Sequence, residues 1–154
     1  MKFGYCYETV IGVLCFMEAS GKLLRCSLSW DERCTQKETP IIKQAVSEVM
    51  EFLNGERTDF SVPCQMTGTA FEQSVYQALR QVPFGETICY QDLAKRINRP
   101  KSVRAVGNAL GKNPLLLFTP CHRVLASDGT LGGFTGGLEV KKVLLRIEGT
   151  IHAD

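Results

Sequence analysis

Apolar residues recur at every second position near the start of the chain and at every third or fourth position after residue 39. That change of period divides the fold into a sheet followed by helices. Phe3, Tyr5 and Tyr7 alternate with other residues, the pattern of a half-buried strand. Residues 11–17 form a short apolar run, Ala19-Ser20-Gly21-Lys22 reads as a turn, and residues 23–29 run on from it. Together they predict an antiparallel hairpin or meander. Thr39-Pro40 then opens a helix, because Thr can cap and Pro is favoured at the first helical position. Ile42, Ala45, Val46, Val49, Met50 and Leu53 form its apolar face, and Gly55 ends it. Residues 56–68 hold Gly, Pro, Thr, Ser and Asp and read as a linker. The expected division is an N-terminal α/β domain over 1–65 and a second domain over 66–154.

The second part reads as mainly helical. Thr69-Ala70-Phe71-Glu72 has the form of a capping box, and Phe71, Val75, Leu79 and Val82 follow at helical spacing. Pro83-Phe84-Gly85 breaks that helix. A short helix over 90–97, a turn at Asn98-Arg99-Pro100-Lys101 and a helix over 103–111 capped by Ser102 make a helix-turn-helix. Residues 115–119 read as a β-type apolar run leading into Pro120-Cys121. A Gly-rich loop over 127–137 and a last helix over 138–147, ending at Glu148-Gly149, complete the chain. The fold class is α/β in the α+β sense: a small antiparallel sheet plus a helix, then a helical domain.

Composition narrows the function classes. With 154 residues, 44% hydrophobic and 22% charged, the chain fits a globular protein with a sizeable core. No apolar run reaches the roughly 20 residues needed to span a bilayer, and residues 1–7 lack the apolar stretch of a signal peptide. The expected location is the cytoplasm, or the nucleus if the source is eukaryotic. Seven cysteines are an odd count, and nothing marks the chain for export, so reduced thiols are expected, mostly as small buried hydrophobes. No Cys-x-x-Cys pair suggests a metal. Residues 1–65 carry a net charge of −2 and residues 66–154 a net of +4. Lys95, Arg96, Arg99, Lys101, Arg104 and Lys112 fall in one stretch without an acidic residue. Such a patch suits a polyanion, although charge alone equally describes a solvated helix face.

The chain has two histidines. His152 lies near the C-terminus, and His122 stands beside Cys121 in Pro120-Cys121-His122-Arg123-Val124. A thiol becomes a nucleophile as thiolate, and a neighbouring base or cation lowers its pKa. Arg123 is hard to bury unless paired. Adjacent strand residues face opposite ways, so Cys121 and His122 need not touch directly; a water can lie between them, and Glu148 would then orient the imidazole as the third member of a triad does. From these residues alone, packing and chemistry both stay open for Cys121. The second helix of the helix-turn-helix carries Ala105, Gly107 and Ala109, which let it approach either another helix or a nucleic acid closely. The basic flanks favour DNA.

These stretches resemble the O6-alkylguanine-DNA alkyltransferase family, the methylated-DNA–protein-cysteine methyltransferases. The resemblance rests on Phe84-Gly85-Glu86 with Tyr90-Gln91-Asp92-Leu93-Ala94, Arg104-Ala105-Val106-Gly107, Asn113-Pro114, Pro120-Cys121-His122-Arg123-Val124, Gly136-Gly137-Leu138, and Leu144-Leu145 with Glu148-Gly149. They run in family order from about 70 to 150. Over 1–65 only the order of elements matches, which implies an RNase H-like unit.

The resemblance implies a single-turnover protein that moves the alkyl group of O6-alkylguanine, and of O4-alkylthymine, from DNA to Cys121. His122 and Glu148 would draw off the thiol proton through a water, and Asn113 would brace the turn before the active-site segment. Tyr90 would help rotate the nucleotide and sit by the guanine. Arg104 would fill the space left by the extruded base, with Gln91, Ser102, Ala105, Gly107 and Ser127 also meeting DNA in the minor groove. Val124, Phe134, Thr135 and Lys141 would line the pocket, and Tyr90 or Lys141 would donate to the leaving guanine. Thr135 stands where the family often has Ser, and Leu116 and Thr119 also depart from common residues. The family's zinc-binding form uses N-terminal histidines, and none precedes residue 122 here, so no metal and no cofactor are expected. The implied partner is double-stranded DNA with a flipped alkylguanine, met by a monomer without a membrane. Two other readings compete: a lesion sensor that does no chemistry, which usually lacks the acceptor Cys, and a Cys–His hydrolase, which has no use for the helix-turn-helix.

Overall fold

The computed structural model describes residues 1–134 and 136–151, so Thr135 and His152 lie outside the described residues. Contacts divide the chain into two units. One holds Met1–Thr67 and Pro114–Phe118, the other Gly68–Asn113 and the chain from Thr119 onward. The architecture is mixed α/β.

In the first unit, β1 (Phe3–Thr9) runs antiparallel to β2 (Gly12–Ala19), which runs antiparallel to β3 (Lys22–Ser27). A short β4 (Thr35–Gln36) lies parallel to β1, giving the order β3-β2-β1-β4. Between β2 and β3, Ser20 has φ 54° and Gly21 φ 78°, the two positive values that a two-residue turn needs to match strand twist. α1 (Pro40–Leu53) starts as its sequence dictates: Thr39 accepts from the Ile42 amide, and Pro40 takes the first helical position. The helix packs on β1, β2 and β3. Ile42, Ala45, Val49 and Phe52 on the helix and Leu14, Phe16 and Leu23 on the strands are buried. Each large side chain so buried contributes about 1.5–3 kcal/mol.

Three expectations need correction here. Residues 56–68 are not a free linker. Glu48, buried on α1, accepts from the Ser61 amide at 2.8 Å, the Ser61 hydroxyl at 2.6 Å and the Val62 amide at 3.2 Å. Residues 63–65 then pair with β3 through Leu23 N to Pro63 O and Gln65 N to Leu23 O. A polar composition does not reveal that an acid on the preceding helix will hold the segment down.

The seven thiols are not all reduced. Cys6 faces Cys15 across the β1–β2 ladder and is joined to it as a disulfide, with Cα atoms 4.0 Å apart. Spacing along the chain hides what the hairpin register brings together. Cys26, Cys34, Cys64, Cys89 and Cys121 are free.

Residues 115–119 are not a strand. Leu115 makes an isolated bridge to Cys26 of β3, and Leu117 turns into the left-handed region at φ 75°. The run is apolar because Leu115, Leu116, Leu117 and Phe118 are buried. A short apolar run is compatible with several backbones.

In the second unit, α2 (Ala70–Arg80) carries the expected capping box: Glu72 N donates to Thr69 Oγ1 at 3.1 Å, and Thr69 N to Glu72 Oε1 at 2.9 Å. A two-residue β5 (Ile88–Cys89) leads straight into α3 (Tyr90–Arg96) and pairs in parallel with β6 (Val124–Leu125). α3 and α4 (Val103–Gly111) form the helix-turn-helix, with Asn98 in the turn at φ 60°. Ser102 holds the N-cap position of α4 but makes no side-chain cap bond, because its ψ of 30° departs from the extended cap geometry. α5 (Leu138–Ile147) ends at Glu148, followed by Gly149 at φ 76°. Val75, Leu79, Leu93, Val106, Leu144 and Leu145 are among the buried apolar residues of this unit's helices.

Candidate active site

Cys121 opens a 3-10 turn, Cys121–Arg123, immediately before β6. Pro120, at φ −81° and ψ 67°, is the centre of an inverse γ-turn, closed by Cys121 N donating to Thr119 O at 2.8 Å. Asn113 Nδ2 donates to the same Thr119 carbonyl at 2.9 Å. The Asn113 side chain also hydrogen-bonds the Cys121 thiol. The expected brace role of Asn113 therefore has a geometry: one amide reaches both ends of the turn that carries the sulfur.

On this turn Cys121 and His122 are not strand neighbours on opposite faces. Successive residues of a 3-10 turn point about a third of a revolution apart, and His122 turns inward. Its Nε2 lies 2.5 Å from Glu148 Oε2, with both side chains wholly buried. Arg123 holds the same carboxylate: Nε donates to Oε1 at 2.9 Å and Nη2 to Oε2 at 3.0 Å, while Nη1 donates to Val82 O at 2.7 Å. The Gly85 amide adds a longer bond to Glu148 Oε1 at 3.3 Å. Glu148 thus sits between a guanidinium and an imidazole. Sequence reasoning asked for a partner to Arg123 but did not find it in Glu148. A charged residue inside an otherwise buried motif was the available signal.

The electrostatics set the resting protonation. Burial pushes the His122 imidazole below its ordinary value although Glu148 pulls it up, so it is neutral at pH 7 and available as a base. Burial pushes the Glu148 carboxyl up, but the hydrogen bonds from His122 and Arg123 outweigh it and hold the group below the usual range. The Cys121 thiol goes the other way from the sequence expectation. Burial raises it, and the Asn113 hydrogen bond and the Lys141 charge recover only part of that rise. The resting group is a protonated thiol beside a neutral base, and deprotonation belongs to the reaction step.

A cavity of about 160 Å³ opens at the sulfur, lined by Tyr90, Gly107, Leu110, Gly111, Cys121, Gly133 and Phe134. A cavity of about 150 Å³ is known to accept a benzene ring, so this one suits part of a flat heteroaromatic group. Tyr90, the first residue of α3, is half-buried with its hydroxyl accepting from the Gly133 amide. Leu110 and Gly111 escaped the sequence reading.

Lys141 is turned to backbone carbonyls. Its ammonium is buried and donates to the carbonyls of Val124 at 2.7 Å, Leu131 and Gly133 at 3.1 Å. All three of its N–H groups are used, so it holds the 131–133 loop in place. Burial pushes its pKa down to about 8. Val124 is itself buried and offers its carbonyl to Lys141. Of the residues read as meeting DNA, Arg104, Ala105, Gln91 and Ser127 are exposed, and Ser102 and Gly107 are half-buried. Among the described residues no group of three or more His, Cys, Asp or Glu is placed to hold a metal ion, and no helix is long and apolar enough to cross a membrane.

Comparison with known proteins follows from this geometry. Residues 70–150 match the family model described as 6-O-methylguanine DNA methyltransferase, DNA binding domain. The methylated-DNA–protein-cysteine methyltransferase of Haemophilus influenzae is 47% identical over 120 residues, covering 77% of this chain and 67% of that protein. The constitutive methylated-DNA–protein-cysteine methyltransferase of Bacillus subtilis is 40% identical over 151 residues, covering 92% of each. Among solved structures, Mycobacterium tuberculosis OGT in complex with DNA superimposes with a TM-score of 0.90 at 33% identity, covering 96% of this chain and 93% of that one.

Proposed function

The chain belongs to the 6-O-methylguanine DNA methyltransferase family, and on that premise we propose that Cys121 is the acceptor of the alkyl group and that His122, Glu148, Asn113 and Tyr90 serve the transfer. The protein repairs alkylated guanine in DNA by direct reversal. One observation supports the assignment above the rest: Cys121 lines the cavity, and the next residue forms a buried pair with Glu148.

An alkyl group on O6 lies inside the stack of a duplex, so the nucleotide must be turned out to meet the sulfur. Exposed Arg104, at the start of α4, enters the duplex and fills the gap. Gln91, Ser102, Ala105, Gly107 and Ser127 meet the DNA around it in the minor groove. Contacts to phosphate and shape dominate, since a lesion occurs in any sequence. The flipped base enters between Tyr90 and the loop with Phe134. His122 takes the thiol proton, directly or through a water, as the S–C bond forms and the C–O6 bond breaks. The released electron pair stays on guanine, which is protonated to the ordinary base, and Tyr90 supports that step with a hydrogen bond. Glu148 stabilises the imidazolium. A thioether resists hydrolysis, so each molecule acts once. Such work places the protein with the chromosome, in the cytoplasm or, in a eukaryote, the nucleus.

A titration tests this. Duplex containing O6-methylguanine is mixed with increasing protein and the restored guanine is counted. One guanine per protein molecule is expected for the wild type and none for Cys121→Ser. Several guanines per molecule, or repair by the Ser variant, would remove Cys121 as a consumed acceptor.

A further inference from the structure

Thr119 is the one hydroxyl in the otherwise apolar run 115–119, and it is 1% exposed. Three hydrogen bonds converge on it. Its carbonyl closes the γ-turn that aims Cys121 and also takes the Asn113 amide. Its Oγ1 accepts from Nε of Arg80, the last residue of α2, at 3.2 Å. Four residues earlier on α2, Tyr76 donates to Ala109 O of α4 at 2.7 Å. Residues four apart stand on one side of a helix. One side of α2 therefore holds both Ala109 on the helix that bears Arg104 and Thr119, two residues before the nucleophile.

We propose that Arg80 is a positioning residue for the transfer, acting through the Thr119 hydroxyl to fix the direction of the Cys121 sulfur. The proposal rests on Cys121 being the acceptor. The γ-turn at Pro120 is closed by Cys121 N donating to Thr119 O, and a single i to i+2 bond is a weak constraint. Thr119 is also a poor place for slack, because displacement needs sulfur, carbon and oxygen in line. An aliphatic residue at 119 would fill the same space and give Arg80 no acceptor. Arg80 is not among the residues that line the cavity, and its bond goes to Thr119, so its effect should fall on the rate of the bound complex and not on DNA affinity.

Single-turnover methyl transfer from an O6-methylguanine duplex, at saturating DNA, separates the two. Thr119→Val removes the hydroxyl at nearly constant volume, Thr119→Ser keeps it, and Arg80→Met removes the donor. Thr119→Val and Arg80→Met should each slow transfer by about tenfold or more, as misplacement of a reacting group does. The duplex Kd should stay within about twofold, a smaller change than one hydrogen bond is worth. The double variant should be no slower than the slower single one, and Thr119→Ser should recover most of the rate. A Thr119→Val rate equal to the wild type, a Ser variant as slow as Val, or additive losses would overturn the proposal. A wild type that takes up no methyl group would instead overturn Cys121 as acceptor.

Discussion

His122 Nε2 and Glu148 Oε2 lie 2.5 Å apart with both side chains fully buried. Arg123 grips the same carboxylate from its other side. The three residues form one polar unit directly behind Cys121. Its members come from the Pro120-Cys121-His122-Arg123-Val124 motif and from the C-cap of α5.

The stability of that unit is the first test. Glu148→Gln leaves the Arg123 guanidinium, 9% exposed, without its counter-charge. Breaking a buried pair from one side costs about 3–5 kcal/mol, and urea unfolding should show a loss of that order. Arg123→Met with Glu148→Gln should cost clearly less than the sum of the two single changes. Simple additivity would mean the two groups do not act together.

Acid stability is the second. His122 and Glu148 both titrate below their ordinary values in the fold. At a given pH near those values the unfolded chain therefore binds more protons, and stability falls as pH falls. The His122 share should begin to go as pH drops through 6.5, the ordinary imidazole value. The Glu148 share goes below 4.5. Unfolding free energy measured from pH 8 to 4 should decline in two stages, and His122→Gln should remove only the upper one. A His122→Gln curve parallel to the wild type would contradict the buried neutral imidazole.

Counting thiols is the third. Alkylation with iodoacetamide in denaturant, without reductant, should label five cysteines, and seven after reduction, because Cys6 and Cys15 are joined. Seven labels in both samples would return the hairpin to the reduced state.

The sequence was most readable where a local rule has a single outcome. Thr39-Pro40, the Thr69–Glu72 capping box and the α3–α4 turn all formed within a residue or two of their expected places. It was least readable where the outcome depends on what lies across space. The facing of Cys6 and Cys15 follows from hairpin register, the fate of residues 56–68 from Glu48, and the backbone of 115–119 from burial beside β3. At the site, Cys121 and His122 stood out by their motif, whereas Arg123 as partner of Glu148 and Leu110 as cavity wall required the fold. For Lys141 the residue type suggested a pocket cation, and only the fold shows that its ammonium meets three carbonyls.

Arg104 supplies the fourth test. It is exposed at the start of α4, away from the buried unit behind the sulfur. Arg104→Ala should slow methyl transfer from duplex DNA by tenfold or more, roughly the worth of one charged contact. Transfer from free O6-benzylguanine should lose much less. Equal losses on both substrates would remove the duplex-entering role.

The central claim is that Cys121 takes the alkyl group. Incubation with duplex carrying O6-methylguanine, followed by digestion and peptide mass measurement, tests it most directly. The account predicts one added methyl group on the Cys121 peptide and none on the peptides bearing the other six cysteines. An unmodified Cys121 peptide from protein that binds the lesion tightly, or a methyl group on any other cysteine, would contradict it.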